Sequence, residues 1–452
     1  MKLDSLNFKF LDIVDLYKNN EYLKSVHLQE LRLAALLHDI GHGPLSHKFD
    51  SFTITKEKFM AIIDSNTLLS KYYKNFEKLL EKKGANEKIE HEDISCLFIL
   101  ELVAKLKVEK DNMPNKFFAP LGKMIDEISG ERIVRLIQNK LDFGQKGKVI
   151  VNNIDLTFLY SSVISSFPID ADRMDYLLRD GTFTGVKYGV YDLARIYTSL
   201  VPIKVKNKGY LAVKESGVDA CVRFIESRAH LFNIVYPHKT NISASAMLDF
   251  IFDDFKNSII EVNNYEELVN FYWLNSDEHF VRNTIKNEVI NKVNDKKIKI
   301  DKENTLEELL RRRMWKKLYT LRFAINTKTK KLNKDYINTK VKIDTIKKDI
   351  NRKLKANNFN AKCDIFINNI FKDSEKSNLF ILKKDNTKGY NLIKDWVGFN
   401  EDIDAINYKV CFVKIFMARD FNSSIEFIEK QKEIMGLIDE NINSLENLKN
   451  SK

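Results

Sequence analysis

The sequence predicts a mainly α-helical protein with one small β-hairpin in its first half and an α+β region toward its C-terminal end. Three observations carry that expectation. The 452 residues include only 15 Gly and 6 Pro, too few for sandwich or barrel folds, which need frequent turn residues. All six prolines lie at or before Pro237, so the remainder is free to run in long helices. Dense runs of apolar helix formers, such as Leu28–Leu37, fit helices better than strands. The length allows two to three domains, expected as a helical domain over residues 1–255 and an accessory region over 256–452.

Taken in order, Leu28–Leu37 reads as a buried helix, stopped by Gly41 and by Gly43-Pro44, with His42 and His47 on the loop that follows. Gln145–Lys148 reads as a loop. Pro168 suits the start of a helix and Gly181 its end. Leu200–Val205 and Tyr210–Val213 flank Lys206-Asn207-Lys208-Gly209 as a hairpin. Short strands are expected within Cys363–Leu382 and Tyr408–Met417, most clearly over Val410–Phe416, and Ser424–Met435 has helical spacing.

The chemistry-bearing residues cluster. Three of the eight histidines fall in His38-Asp39-Ile40-Gly41-His42-Gly43-Pro44-Leu45-Ser46-His47, with Asp50 three residues on. Imidazole and carboxylate are both good ligands for divalent first-row metals, and several polar groups at the end of an apolar helix need partners to be buried. Glu90-His91-Glu92 supplies a further histidine. On the helix after Pro168, Asp172, Tyr176 and Asp180 follow at four-residue spacing and form one polar stripe.

In this order the segments resemble the HD-domain phosphohydrolases. The match runs from His38-Asp39 through Gly41-His42-Gly43-Pro44-x-Ser46-His47-x-Phe49-Asp50 and His91-Glu92 to Ile169-Asp170-x-Asp172-Arg173-x-Asp175-Tyr176-x-x-Arg179-Asp180. The resemblance is narrower to the branch that includes the SAM-and-HD-domain deoxynucleoside triphosphate triphosphohydrolases. It continues at Glu226-Ser-Arg228-Ala-His230 and Tyr236-Pro-His238-Lys239. It implies a helical HD-type core within residues 1–255 and a divalent metal (Mn, Fe, Zn or Mg) on His38, Asp39 and Asp172. A first ligating histidine is implied further upstream, in a His-Ser-x-Gly-Val context. Met1 stands 37 positions before His38, and His27 is the only earlier histidine, in polar sequence at the wrong distance. The expectation is three protein ligands where the resemblance implies four.

The implied reaction takes deoxynucleoside triphosphates to deoxynucleoside and triphosphate. A metal polarises an α-phosphate oxygen and lowers the pKa of a water, while a proton must reach the 5′-oxygen. His47 is expected as that acid, oriented by Asp50. His42 and His91 are expected on phosphate oxygens with Arg228 and Lys239. Tyr176 and Asp180 would read the sugar, with Tyr236 supporting the same wall. Alternatives are a phosphodiesterase or nuclease, and a non-catalytic nucleotide-sensing or assembly subunit.

The net charge is +11, yet residues 281–360 alone hold 24 Lys/Arg against 9 Asp/Glu. Lys296-Lys297, Arg311-Arg312-Arg313, Lys316-Lys317 and Lys328–Lys331 mark this region. It reads either as a solvated lysine-rich surface or as a surface for polyphosphate or nucleic acid. The resemblance favours an activating nucleotide at the contacts of a homo-oligomer. Cys96, Cys221, Cys363 and Cys411 are far apart and suggest neither zinc knuckle nor disulfide framework. No signal-peptide pattern or bilayer-length apolar run is visible, so a cytoplasmic protein without membrane association is expected.

Overall fold

The computed structural model describes residues 8–110, 122–164, 168–253, 261–325, 332–367, 379–382, 389–391 and 409–450. After a short strand β1 (Phe8–Phe10), the first long helix, α1 (Glu21–Leu37), opens on Asn20, whose side chain accepts from the Leu23 amide. That cap satisfies one of the free amides of the first turn. The helix starts earlier than its apolar run suggests and is only partly buried: Val26, His27, Glu30 and Ala34 face inward, whereas Leu36 is 76% exposed. His27 therefore lies inside the helix, not in polar chain ahead of it. Its Nδ1 stands 2.8 Å from the Tyr17 hydroxyl, which also meets the Tyr160 hydroxyl at 3.0 Å.

Helix α2 (His91–Glu109) is buried on every side from Asp93 to Glu101, as a helix crossing a core is. α3 (Gly130–Ile137) joins α1 through Arg132, whose Nε and Nη2 reach the buried Glu30 carboxylate at 2.8 and 2.6 Å. Two-residue strands β2 (Ile150–Val151) and β3 (Ile154–Asp155) precede α4 (Thr157–Ile164). Helix α5 (Ala171–Thr184) is capped by Asp170, which accepts from the Arg173 amide at 2.8 Å. Gly181 does not end it, against expectation. The helix runs on to Thr184 and ends at Gly185, in the left-handed region at φ +70°. Gly181 is buried, and a Cβ there would stand 3.2 Å from Gly189 Cα; its small size serves backbone packing instead of termination.

The hairpin forms from β4 (Leu200–Val205) and β5 (Lys208–Lys214). Its turn is the two residues Lys206-Asn207, shorter than expected, because Val205 already pairs with Lys208. β1 pairs with β4, and β3 meets β5 at Asp155–Lys208. α6 (Val218–His230) continues as a π turn over Leu231–Val235 and is followed by α7 (Lys239–Ile251). α8 (Tyr265–Leu274) and α9 (Lys296–Leu310) come next. Their Tyr265, Leu268 and Leu306, with Phe280 and Ile285 between, join one apolar cluster with Leu11, Phe49, Ile94 and Leu159. The core is thus continuous across the boundary expected at residue 255.

The C-terminal region departs most from expectation. Lys316–Ile325, read from sequence as part of a helical basic stretch, is strand β6. Leu321 and Phe323 are buried on one face, while Thr320 and Arg322 alternate with them, a two-residue period. α10 (Leu332–Ala356), β7 (Ala361–Ile367), β8 (Phe380–Leu382), β9 (Gly389–Asn391) and β10 (Lys409–Met417) follow. The expected strands near 363–382 and 408–417 are β7, β8 and β10, though residues 368–378 lie outside the described residues, as do residues 328–331. β10 is the middle strand of the antiparallel sheet β6-β10-β7, backed by α11 (Ser424–Leu437) and α12 (Asp439–Asn450) through Ile434, Ile438 and Leu445. β8 instead adds in parallel to β5, so this late segment completes the hairpin's sheet.

Candidate active site

The site begins where α1 ends. His38 is the C-cap of α1, and its Nδ1–H donates to the Ala35 carbonyl at 2.9 Å. In the neutral ring that bond leaves Nε2 with the lone pair. Among the described residues Nε2 is buried without a hydrogen-bond partner, 3.3 Å from Asp39 Oδ2 and 3.7 Å from Asp172 Oδ1. An orphaned ring nitrogen facing two carboxylates is the donor set a divalent cation requires. Their negative charge acts on the ring in the same sense: the Asp172 carboxylate foremost raises the His38 pKa to about 9, against the effect of burial. His38, Asp39 and Asp172 place one ligand atom each within 4.8 Å of one another. These residues fit the metal expected from the sequence.

The turn after His38 is built on glycine for lack of space. A Cβ on Gly41 would stand 2.2 Å from the His91 carbonyl, and one on Gly43 would stand 2.0 Å from the Phe49 ring. The Gly41 amide donates to Ser95 Oγ at 2.8 Å, which draws the turn onto the first turn of α2. There His91, the first residue of α2, stacks on His42 with ring centroids 3.6 Å apart and 15° between planes. His47 lies edge-on to both, at 4.8 and 4.9 Å. It sits on a 3₁₀ turn, Ser46–Ser51, not on irregular loop.

Asp50 organises this second group. Its Oδ2 accepts from Nδ1 of His47 and from Nδ1 of His91, each at 3.3 Å. Burial alone would raise the Asp50 pKa, but the two imidazole hydrogen bonds outweigh it and hold the carboxyl at about 2. Burial and the stacked His91 push His42 down to about 4. Burial also opposes charge on His91, yet the Asp50 bond and Glu92 raise its pKa. The cluster therefore keeps His42 neutral while favouring a proton on His91. His42, His47 and His91 also form a group with ligand atoms within 4.8 Å of one another.

Further along α5 the polar stripe meets α6 and the π turn. Arg228 Nε donates to the Tyr176 hydroxyl at 3.0 Å, and its guanidinium lies 4.8 Å from the Phe232 ring centroid. The Tyr236 hydroxyl donates to Asp180 Oδ2 at 2.6 Å. Tyr176 with Arg228 and Asp180 with Tyr236 are thereby paired one turn apart on α5, and Asp172 stands one turn before Tyr176 on the same helix. Lys239 is exposed at the first residue of α7, and among the described residues no hydrogen bond or ion pair joins it to that group. Sequence reasoning missed Ser95, which the four-residue spacing from His91 could have indicated. It also missed Asp277, whose carboxylate accepts from the Leu45 amide at 2.8 Å across 232 residues, a contact without any local signal.

A helical core that turns a His-Asp pair toward a distant aspartate defines an HD-type metal-binding domain. Residues 15–180 match the family model described as HD domain, and the chain carries that domain, as its motifs implied. It is 30% identical over 215 residues to the uncharacterized protein YwfO of Bacillus subtilis, covering 48% of this chain and 34% of that protein. It is 24% identical over 227 residues to the deoxynucleoside triphosphate triphosphohydrolase SAMHD1 of Danio rerio, covering 48% and 30%. The chain thus spans about a third of the length of these two relatives. Among solved structures, a phosphohydrolase of Bacteroides thetaiotaomicron aligns over 90% of this chain and 84% of its own, with TM-score 0.46 and 18% identity. No helix of the described residues is long and apolar enough to cross a membrane.

Proposed function

We propose that this chain hydrolyses the α-phosphate ester of a deoxynucleoside triphosphate, giving deoxynucleoside and inorganic triphosphate. The observation that carries the reading is the layout of α5. Asp172 faces His38 at one end of the helix, and two turns on Asp180 is paired with Tyr236, with the Tyr176–Arg228 pair between them. One helix face thus offers a group of possible cation ligands, a fixed positive charge and a polar wall in succession. A divalent cation held by His38, Asp39 and Asp172 supplies Lewis-acid polarisation of a phosphate oxygen and a lowered pKa for water.

The chain's own residues account for the rest. Water replaces the 5′-oxygen at the α-phosphorus, and the departing alkoxide needs a proton. His47 delivers it, with Asp50 holding the ring through Nδ1. His42 and His91 donate to phosphate oxygens from the stacked pair, and Arg228 adds a planar, positively charged donor. The Tyr176 ring closes the space beside the 2′ carbon. Asp180 has one oxygen committed to Tyr236, and the other, 4.0 Å from Arg179 Nε, would accept from a 3′-hydroxyl.

The test is product analysis with dATP and ATP in the presence of Mn²⁺. Triphosphate release from dATP, with much slower turnover of ATP, is the expected result, and Asp180→Asn should raise KM for dATP. Equal rates on both nucleotides, or release of pyrophosphate, would defeat the reading.

A further inference from the structure

The segment that carries His47 and Asp50 is not held by the HD domain alone. Leu45 and Ser46 both lie in the left-handed region, at φ 67° and 53°, a conformation that non-glycine residues keep only when surroundings enforce it. The enforcing contacts come from residues beyond 180, the last residue of the family match. Asp277 Oδ1 accepts from the Leu45 amide at 2.8 Å. Asp249, on α7, takes Lys48 Nζ at 2.6 Å. Phe49, fully buried, packs with Phe271, Tyr272 and Phe280 at centroid distances of 5.9, 6.2 and 5.5 Å. One side of the 3₁₀ turn therefore faces the histidine cluster, and the other rests on α7, α8 and the residues just after α8.

We infer that Asp277 is a positioning residue for His47, acting through the Leu45 amide, with the Asp249–Lys48 pair as a second support. The amide bond fixes the left-handed pair at the start of the turn. The direction in which His47 leaves the backbone two residues later depends on that pair. Asp277 touches neither His47 nor any phosphate position, so it acts on orientation alone. The inference rests on the proposed role of His47, and it adds that residues outside the HD domain set the acid's geometry.

The experiment compares the full chain with Asp277→Ala and Asp277→Asn by hydrogen exchange over residues 44–51, and by kcat and KM for dATP with Mn²⁺. Asparagine keeps a side-chain oxygen that can accept from the Leu45 amide; alanine does not. The expected result is faster exchange over 44–51 in Asp277→Ala, and a kcat lowered by about tenfold or more, the cost of misplacing a proton donor. KM and bound manganese should stay near the unaltered chain's, and Asp277→Asn should recover both exchange and kcat. Lys48→Met, which removes the second support without touching the Leu45 amide, should show the same signs with a smaller loss. Unchanged exchange in Asp277→Ala overturns the inference, as does faster exchange with unchanged kcat, or an Asp277→Asn no better than alanine. If the unaltered chain turns over no deoxynucleoside triphosphate, the substrate reading is what fails. Exchange over 44–51 then decides the clamp by itself.

Discussion

Asp50 accepts from two imidazoles through one oxygen, so His47 and His91 compete for a single acceptor. Charge on His42 is disfavoured by burial and by the stacked His91. His47 is the exposed ring of the three, whereas His91 is buried, so His47 is the one that can face a leaving alkoxide. His47→Ala should therefore retain metal and nucleotide binding while losing turnover by about 10²–10⁴-fold. Equilibrium binding of dATP, metal analysis and single-turnover rates check this, and a parallel loss of binding and rate would make His47 a ligand or a structural residue instead. Gly41 offers a second test at this scale. A methyl group there meets the His91 carbonyl and the Ser95 amide, both backbone, so Gly41→Ala should lower stability by about 1–3 kcal/mol, read as a drop in Tm. His38, Asp39, His42, His47 and Asp50 were legible in the sequence because they are close along the chain and chemically unlike their neighbours. Ser95 and Asp277 were not, because a serine on an apolar helix and an aspartate in a polar stretch look alike whether or not an amide points at them.

Among the elements, α5 shows how far periodicity reaches. Its stripe of Asp172, Tyr176 and Asp180 was readable from four-residue spacing, but its end was misplaced by four residues, because a glycine marks close packing as readily as a cap. β6 was missed for a related reason: in a lysine-rich stretch the charges hide the two-residue alternation of Leu321 and Phe323. α1 misled in the opposite way. Its apolar run suggested burial, while its inward face includes His27 and Glu30. His27 yields a prediction with a definite sign. Burial, and secondarily Arg132, lower its pKa from 6.5 to about 4 in the folded protein. Between those values the unfolded chain binds the extra proton, so stability is whole above pH 6.5 and falls as pH drops toward 4. The contribution lost is of order 3 kcal/mol. His27→Gln, which retains an acceptor for the Tyr17 hydroxyl, should flatten the pH dependence of the urea midpoint over this window. An unchanged slope would place the proton uptake on another group.

Across the whole molecule, the excess of positive charge in residues 281–360 was legible as a number but not as a surface. The structure commits part of it internally. Lys302 is buried on the Asp253 carbonyl, Lys347 pairs with Asp364 at 2.6 Å, and Arg282, Lys292, Arg311 and Arg352 each meet a nearby carboxylate. Exposed pairs of this kind contribute little stability, yet they fix side chains that a polymer backbone would otherwise recruit. The anchored lysines also join α9, α10 and β7 to the segment after α7, since Lys362 reaches the same Asp253. These basic residues thus tie the accessory region to the domain that carries Asp249 and the His47 turn. Salt separates the two uses of the charge. A surface contacting about six to ten phosphates loses about 10³–10⁵-fold in affinity between 50 and 200 mM salt. A mononucleotide held by Arg228 and the histidines engages few charges, so its KM should rise by no more than about tenfold over that range. Titrating single-stranded DNA, RNA and dATP across the same salt series distinguishes them. Tight, steeply salt-dependent binding of a polymer, accompanied by its cleavage, would move the assignment from nucleotide hydrolysis to a nuclease.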